Sequence, residues 1–348
     1  MARQSIDSRQ PNPSALMQTG LGFWASKTLL AATKLELFTF IGDNYRTPEE
    51  IRLSLGLHGH ALLDFLDSLT SLGFLERYGT GAQVKYGNTP ETAAFLVKGK
   101  PAYMGGFFEM ANDREYLFWA NLEEGLRTGK PQNEIRITGK ESFEAIYEDP
   151  ERLKQFTDAM SSIQLGAFHA FAQRFDFSKR RLMLDVGGSG ASLSCIVATH
   201  NPHMKCISFD LPAVESLARE KVVMCDVTKQ VEVRSGNFFA EPELPAADVI
   251  TMGNILHSFD LPGKMSLLRK SYEALPDGGE LIVIELIMDN DRRANTFALL
   301  MSLNMLIESD GGFNFTQADF EGWAEEVGFR SIRFEPLEGP VSAAIAMK

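Results

Sequence analysis

Two side chains that could perform acid–base chemistry follow what read as neighbouring strands of a sheet. His257 comes a few residues after an apolar stretch ending at Gly253, and Glu285 lies at the end of the next apolar stretch. If the two stretches are adjacent strands, both side chains project into one crevice. A carboxylate beside an imidazole fixes the ring tautomer and makes the outer nitrogen more basic. We therefore interpret His257 as a general base oriented by Glu285, the alternative for His257 being a solvated residue ahead of the helix at Pro262.

A glycine-rich turn follows the apolar stretch 182–186, in the sequence LMLDVGGSGAS. Glycine lets the backbone approach a ligand closely, and the helix that follows presents unpaired N–H groups. The dinucleotide pattern GxGxxG has Leu193 where its third small residue belongs, which disfavours a nicotinamide or flavin. The pattern acidic-x-G-x-G-x-G of S-adenosylmethionine enzymes fits better, beginning at Asp185 and Gly187. A tight turn that binds nothing is the alternative.

Further polar and aromatic residues follow the other predicted strands, where an open α/β sheet binds its ligand. Asp210, with Leu211 beside it, lies 25 residues after the acid of the turn, about where a carboxylate pairs with ribose hydroxyls. Asn237 and Phe238 could hold an adenine, and Gly253 completes the predicted cofactor set. The alternatives are a helix cap for Asp210 and an ordinary loop for Asn237.

Strands and helices alternate from Arg181 onward, which predicts a doubly wound, mostly parallel sheet of the α/β class. Two closing strands with no helix between them predict an antiparallel edge, giving seven strands in all. The predicted strands are residues 182–186, 205–209, 231–235, 248–252, 280–286, 331–335 and 341–347, and helices are expected at 295–307 and 317–327.

The first 100 residues read as a winged-helix domain, in which helices precede a hairpin. A broad apolar face runs through residues 14–41, and the segment from Thr47 to Glu50 supplies an N-cap, a first-turn proline and a capping-box acid. A helix over 62–72 and a hairpin over 74–86, with Gly-Thr-Gly at its centre, complete the pattern.

Charge argues against a nucleic-acid partner for this domain. The formal net charge is −12, and the second helix of the motif carries Asp64 and Asp67 with no Lys or Arg between His60 and Leu72. Phosphate contacts need cations, so we expect a dimerisation module and a homodimer.

Residues 102–133 and 141–175 are expected to be helical, with GKPQNE between them as a polar loop. We interpret the aromatic residues Tyr116, Phe118 and Trp119 as core. The resulting division is a winged-helix domain over 1–100, linker and pocket helices over 101–175, and a catalytic domain over 176–348. Side chains that could line a substrate pocket are Phe156, Met160, Met301, Asn304, Met305 and Asn314.

Cysteine use and hydropathy point to a cytoplasmic protein. Cys195, Cys206 and Cys225 form no CxxC pair or Cys/His ligand cluster, so neither disulfides nor a metal is expected. The first residues lack the apolar core of a signal peptide, and no apolar run approaches the length of a membrane span.

The stretch from Leu182 to the C-terminus resembles the small-molecule O-methyltransferases that use S-adenosylmethionine, the family of plant caffeate and bacterial polyketide and phenazine methyltransferases. The similar segments, in family order, are LMLDVGGSGAS, FDLP, GNFF, NILHSF, YEALPDGGELIVIE and SLNMLIESDGGFNFT. The resemblance implies a class I methyltransferase domain preceded by a winged-helix dimerisation domain, and so covers nearly the whole chain.

The resemblance also implies a role for each matching residue. Asp185 and Gly187 would shape the turn beneath the methionine part of the cofactor, Asp210 would bind the ribose hydroxyls, and Asn237 would accept from the adenine amine. His257 would remove the proton of an aromatic hydroxyl while the oxygen attacks the sulfonium methyl, with Glu285 as the acid beside it.

Four departures from the family pattern bear on the activity. Ser189 and Ala191 replace glycines, Asn237 replaces an acid, the pair after His257 is Ser-Phe rather than Asp-Trp, and Asn314 often has an acid as its counterpart. These leave two alternatives: a non-methylating hydroxylase, decarboxylase or pericyclase on the same scaffold, or a winged-helix regulator that senses a small ligand.

Overall fold

The computed structural model describes residues 11–139 and 146–348, and its contacts divide the chain into two units, Met1–Asn112 and Asp113–Lys348. The elements described in the first unit are α1 (Ser14–Gly20), α2 (Gly22–Lys34), α3 (Leu37–Ile41), α4 (Pro48–Ser54), α5 (Leu62–Ser71), β1 (Leu75–Tyr78), β2 (Lys85–Asn88), α6 (Pro90–Phe95) and α7 (Gly105–Met110). A π-helical turn, Ala111–Glu115, contains the boundary.

The described helices of the second unit are α8 (Tyr116–Trp119), α9 (Leu122–Thr128), α10 (Glu134–Thr138), α11 (Pro150–Arg174), α12 (Ser192–His200), α13 (Glu215–Met224), α14 (Leu261–Ala274), α15 (Thr296–Glu308) and α16 (Gln317–Val327). Its strands are β3 (Leu182–Val186), β4 (Lys205–Asp210), β5 (Val231–Ser235), β6 (Val249–Gly253), β7 (Glu280–Glu285), β8 (Arg330–Pro336) and β9 (Ser342–Met347). None of the helices in the described ranges is long and apolar enough to cross a membrane.

The first unit has the predicted order of helices followed by a hairpin. Thr47 and Glu50 form the capping box of α4, each side chain accepting from the other residue's backbone N–H. Strands β1 and β2 pair antiparallel, and Gly79 at their turn has a φ of +78°, which glycine adopts without strain. The side chains of Phe38, Leu66 and Tyr86 are fully buried in the core of this unit.

The segment 14–41, whose broad apolar face has a helical period, divides into three helices, α1, α2 and α3. The second break places Glu36 in the left-handed region at a φ of +57°. This bend turns Leu37, Phe38 and Ile41 inward, where each is fully buried. Burial of three large apolar side chains stabilises a bend that the helical period of the sequence does not signal.

The seven-stranded sheet has the order β5-β4-β3-β6-β7-β9-β8. Strands β3 to β7 run parallel, and β9 pairs antiparallel with both β7 and β8, as predicted. The chain passes outward from β3 to β5 and then returns to β6 on the other side of β3. This reversal makes the carboxyl ends of β3 and β6 the point where such a sheet binds ligands.

Both faces of the sheet are buried, since neighbouring residues of one strand enter different apolar clusters. Met183 packs in one cluster with Phe168 and Phe171 of α11, whereas Leu184 packs in the other with Leu267 of α14. A parallel sheet covered on both faces explains the near-continuous apolar sequence of its central strands.

The segment before the sheet differs from the long helices that were expected. The helical part of 102–133 is broken into short pieces and ends at Thr128, while α11 begins only at Pro150, capped by Asp149. Residues 140–145, which include the first five residues of the predicted helix 141–175, lie outside the described ranges. In the predicted polar loop, Gln132 and Asn133 are buried because they bond to the carbonyls of Ile307 and Glu308 at the end of α15.

Candidate active site

The turn after β3 contains three residues with a positive φ, a backbone conformation that glycine adopts more easily than other residues. Gly187 has a φ of +72°, but Ser189 and Ala191, which stand where glycines were expected, also have positive φ values of +46° and +59°. A non-glycine residue in this region costs roughly 1–2 kcal/mol. The sequence therefore keeps the glycine-loop conformation without all of its glycines, and surrounding contacts must hold it.

Two carboxylates, the buried Asp185 and the half-buried Asp210, supply such contacts. Asp185 accepts hydrogen bonds from the hydroxyls of Thr251 at 2.9 Å and Ser194 at 3.2 Å. Asp210 accepts from the backbone N–H of Ser189 at 2.7 Å and from its neighbour Leu211 at 2.6 Å. Burial raises the pKa of the Asp185 carboxyl to about 7 and also raises that of Asp210, against the opposing effect of these donors. The turn between β3 and α12 is thus tied to the ends of β4 and β6.

A cleft opens where the turn faces the end of β6. Its lining includes Met160 and Gln164 of α11, together with Gly187, Ser189 and Gly253. A Cβ on Gly187 would lie 2.2 Å from Ile255 Cδ1, and one on Gly253 would lie 3.0 Å from Gln164 Oε1. Glycine at position 187 therefore lets the turn pack against Ile255 beyond β6, and glycine at position 253 leaves room for the side chains of α11.

Asn237 and Phe238 lie just beyond β5, at the predicted strand end, and the Asn237 carbonyl oxygen makes hydrogen bonds within its own turn. Its Oδ1 accepts from the backbone N–H groups of Phe239 at 2.9 Å and Ala240 at 3.3 Å. This turn occupies the oxygen that was expected to accept from an adenine amine. The half-buried ring of Phe238 packs edge-on against those of Phe239 and Phe259.

His257 and Glu285 come together at the ends of β6 and β7. His257 lies in the 3-10 turn Leu256–Ser258, here called the histidine turn, and is 6% exposed, while Glu285 is fully buried. The contact differs from the expected one, since Glu285 Oε1 accepts from the backbone N–H of His257 at 3.2 Å. Neither His257 Nδ1 nor Glu285 Oε2 has a hydrogen-bond partner among the described residues.

Burial controls the ionisation of both groups. It lowers the pKa of the His257 imidazole to about 4, an effect that the positive charge of Lys264 reinforces and a contact with the Asn254 carbonyl opposes. Burial raises the pKa of the Glu285 carboxyl to about 7, although the N–H of His257 and the charge of Lys264 favour its ionised form. At neutral pH the imidazole is therefore uncharged, and it is less basic than an exposed imidazole, opposite to the expectation that Glu285 makes it more basic.

The six predicted pocket residues fall into different environments. Phe156 packs in a small cluster with Leu153 and Val214, whereas Met160 borders the cleft. On α15, Asn304 accepts from Trp119 Nε1 at 2.7 Å. Met301 is partly buried, and Met305 is largely buried. Asn314 donates from Nδ2 to the Leu286 carbonyl at 2.8 Å.

Sequence reasoning missed four residues of this region. Gln164 and Thr157 of α11 each keep a buried oxygen, Oε1 and Oγ1, with no partner within the two described ranges. Asn254 turns the chain from β6 into the histidine turn with a φ of +54°, and Lys264 is fully buried behind that turn. The signal available for Asn254 was its residue type, since asparagine tolerates the left-handed region. The others depend on which face of a helix points inward.

Two family models match this chain. The model of an O-methyltransferase domain matches residues 119–330, and that of an O-methyltransferase dimerisation domain matches residues 17–98. The chain belongs to the O-methyltransferase family. The predicted family and enzyme class are confirmed, and S-adenosylmethionine, the predicted cofactor, is the methyl donor of this family.

Individual relatives match this O-methyltransferase over nearly its whole length. A tetracenomycin polyketide synthesis 8-O-methyltransferase from Streptomyces glaucescens is 34% identical, with 97% of each chain covered. An N,N-dimethyltransferase from Streptomyces rimosus is 31% identical, with 93% of this chain and 92% of the relative covered. The structure of human N-acetylserotonin methyltransferase in complex with S-adenosylmethionine has a TM-score of 0.89 at 26% identity and covers 99% of both chains.

Proposed function

We propose that this O-methyltransferase transfers the methyl group of S-adenosylmethionine to a hydroxyl of an aromatic small molecule, with His257 as the general base. The observation that carries the proposal is the buried, uncharged imidazole at the carboxyl end of β6, whose Nδ1 lacks a partner in the described part of the chain. A neutral ring nitrogen without a hydrogen bond can accept a proton from an acceptor hydroxyl.

We propose that the cofactor binds in the cleft between the ends of β3 and β6. Close packing at Gly187 and Gly253 leaves backbone on both of its walls. The unpartnered Gln164 Oε1 fits an ammonium donor, and Asp210 lies beside the turn where ribose hydroxyls could bind. With Asp185, Leu211 and Phe238 these residues form the proposed cofactor site, and the bound cofactor supplies the electrophilic methyl group.

The proposed role of the histidine turn follows from the acidity of the acceptor. A phenol has a pKa near 10 and is mostly protonated at pH 7, so removing its proton as the oxygen attacks lowers the barrier. Such base catalysis contributes typically ~10²- to 10⁴-fold, and positioning of the two reactants supplies the rest. Glu285 would hold the histidine turn by accepting the backbone N–H of His257. Its negative charge would favour the protonated imidazole after proton transfer.

The acceptor class is proposed from the surroundings and from the relatives. Met160, Met301 and Met305 offer apolar, adaptable surfaces suited to aromatic rings. Trp119 of α8 donates from Nε1 to Asn304 of α15. The relative from Streptomyces glaucescens is named for methylation in polyketide synthesis. We therefore propose a phenolic or polyketide-like acceptor from specialised metabolism, held by α11 and α15 of the second unit.

We also propose that the enzyme is a homodimer and binds no nucleic acid. The dimerisation model covers residues 17–98, and large apolar side chains of α1 and α2 are exposed in the single chain, among them Leu16 at 77% and Trp24 at 61%. The acidic residues of α5 oppose binding to phosphates. Sedimentation of the purified protein at several concentrations tests the dimer.

The test of the function is incubation with S-adenosylmethionine and a panel of phenols, quinones and aromatic amines. S-adenosylhomocysteine and a product with one added methyl group should form in equal amounts with a phenol. Transfer only to amines would favour the activity named for the Streptomyces rimosus relative. Product without S-adenosylhomocysteine would overturn methyl transfer.

A further inference from the structure

Lys264 is an ionisable side chain at a position that should disfavour it. It lies in the first turn of α14, where the helix dipole opposes a positive charge, and its side chain has no exposed surface. Burying an ammonium group is costly unless specific partners replace its water. The apolar packing of α14 would be satisfied by any large aliphatic residue, so the charge itself calls for an explanation.

The partners of the ammonium group belong to the two segments that flank His257. Lys264 Nζ donates to the carbonyl oxygen of Phe259, two residues after His257. It also lies 3.5 Å from the ring centroid of Phe313. The stretch 309–315, here called the Phe313 loop, packs directly on the histidine turn. The approach is so close that a Cβ on Gly312 would lie 2.8 Å from the carbonyl oxygen of His257. Lys264 therefore links the Phe313 loop to the chain that carries His257.

The charges around Lys264 come from three elements. Glu285 at the end of β7 and Asp260 at the N-cap of α14 both favour its protonated form, while burial lowers its pKa to about 8. His257 of the histidine turn is the third group, and the positive charge lowers its pKa. Glu285 Oε2 is buried and finds no hydrogen-bond donor in residues 11–139 or 146–348. The backbone N–H of His257 and then the positive charge of Lys264 favour the ionised form of this carboxyl.

We propose that Lys264 is a positioning residue for methyl transfer: its ammonium group holds the histidine turn against the Phe313 loop and supplies the positive charge beside the buried Glu285 carboxylate. The proposal rests on the proposed function, since it takes His257 as the base. Lys264 itself touches neither the acceptor nor the methyl group in this role. It acts through His257 and Glu285.

The test compares Lys264→Met with the charge-retaining Lys264→Arg and with Lys348→Met. Lys348 is a matched control, because its Nζ also lies over a ring, that of Tyr272 at 4.5 Å, and donates to backbone carbonyls, but at the far end of α14. Titration of the ring resonances of the six histidines by NMR reports on His257 without requiring activity, and the signal lost in His257→Asn identifies it.

In Lys264→Met, the His257 resonance should titrate at least ~1 pH unit higher than in the wild type, because a neighbouring positive charge has been removed. The acid limb of kcat/KM should move in the same direction, and kcat should fall at least ~10-fold through lost positioning. Lys264→Arg should keep the wild-type titration, and Lys348→Met should keep both the titration and kcat.

A folded Lys264→Met protein whose His257 signal does not move, or whose kcat is unchanged, overturns the proposal. Should that variant fail to fold, Phe313→Leu replaces it, since it removes the ring and lets water screen the ammonium group. The His257 titration should then rise by a smaller amount, and an unchanged titration overturns the proposal. Failure of the proposed function is distinguishable, because the wild-type enzyme would then form no S-adenosylhomocysteine, or His257→Asn would retain full turnover, whatever Lys264 does.

Discussion

Glu285 contacts His257 through the main chain: its Oε1 accepts the backbone N–H of His257 at 3.2 Å, and no ring nitrogen takes part in that bond. The carboxylate thus fixes the position of the histidine turn and leaves Nδ1 of the ring without a partner among the described residues. A bond to the ring would have set its tautomer at the expense of one nitrogen. The observed arrangement positions the ring and keeps Nδ1 available for a proton.

Removing the Glu285 acceptor should therefore damage both stability and turnover. Glu285→Ala leaves buried backbone N–H groups unsatisfied, which we expect to lower the free energy of unfolding by about 1–3 kcal/mol. Turnover should fall at least ~10-fold as the histidine turn loses its position. Glu285→Gln retains an accepting oxygen and should keep more of both properties. Urea unfolding and product formation measure the two effects, and an alanine variant equal to the wild type in both would contradict this role.

The profile of kcat/KM against pH should show no fall in rate caused by His257 near pH 6.5, where an exposed histidine titrates. The pKa of His257 is lowered from 6.5 to about 4, so the imidazole stays unprotonated, and rate should not decline on its account until the pH falls well below 6.5. The pKa of Glu285 is raised to about 7, and loss of its charge below that pH could lower the rate. Profiles of the wild type and Glu285→Gln separate the two groups. A limb near 6.5 that persists in Glu285→Gln would show that His257 is not shifted.

Asp210 should matter for cofactor affinity more than for stability. The Asp210 carboxylate accepts from the backbone N–H groups of Ser189 and Leu211. In Asp210→Asn the side-chain NH₂ would face one of these two donors, which should loosen the turn beside the proposed ribose site. We expect the Kd for S-adenosylhomocysteine to rise at least ~10-fold, or about 1.4 kcal/mol, by calorimetry.

Asp248→Asn is the control for Asp210. Its carboxylate also accepts two backbone N–H groups, from Arg181 at 2.7 Å and Leu182 at 3.0 Å, but at the opposite end of β3. The Kd of Asp248→Asn for S-adenosylhomocysteine should match that of the wild type. Equal losses in both variants would indicate a general effect on the sheet.

The strained turn predicts opposite effects at two neighbouring positions. Ser189→Gly relieves a left-handed serine and should stabilise the protein by about 0.5–1 kcal/mol after the greater chain entropy of glycine is counted. Gly187→Ala adds strain at a φ of +72° and a Cβ 2.2 Å from Ile255, so it should destabilise the protein and weaken cofactor binding. Thermal unfolding measures both, and a stabilising Gly187→Ala would refute the turn geometry.

The sheet and the location of the site were predictable because they follow from short-range signals. The apolar strands, the Asp185 turn and the closing strand pair each have a local pattern, and the rule that ligands bind at strand ends brought His257 and Glu285 together.

What the sequence did not yield depends on long-range packing. Lys264 and Gln164 lie on helices, and only the packed structure shows that one reaches the Phe313 ring and the other the cleft. Likewise, the side-chain carbonyl oxygen of Asn237 accepts a hydrogen bond from the backbone N–H of Phe239 in its own loop, and this local bond competes with any ligand. The bend at Glu36 arises because burial of Leu37 and Phe38 outweighs the helical preference of the segment.

The most direct test of the central claim, that His257 is the base for methyl transfer, is the turnover of His257→Ala measured beside its affinity for S-adenosylhomocysteine. We predict that formation of methylated product falls by at least ~10²-fold while the Kd for S-adenosylhomocysteine changes by less than about 2-fold. Near-normal turnover by His257→Ala, with the cofactor bound as in the wild type, would show that His257 is not the base.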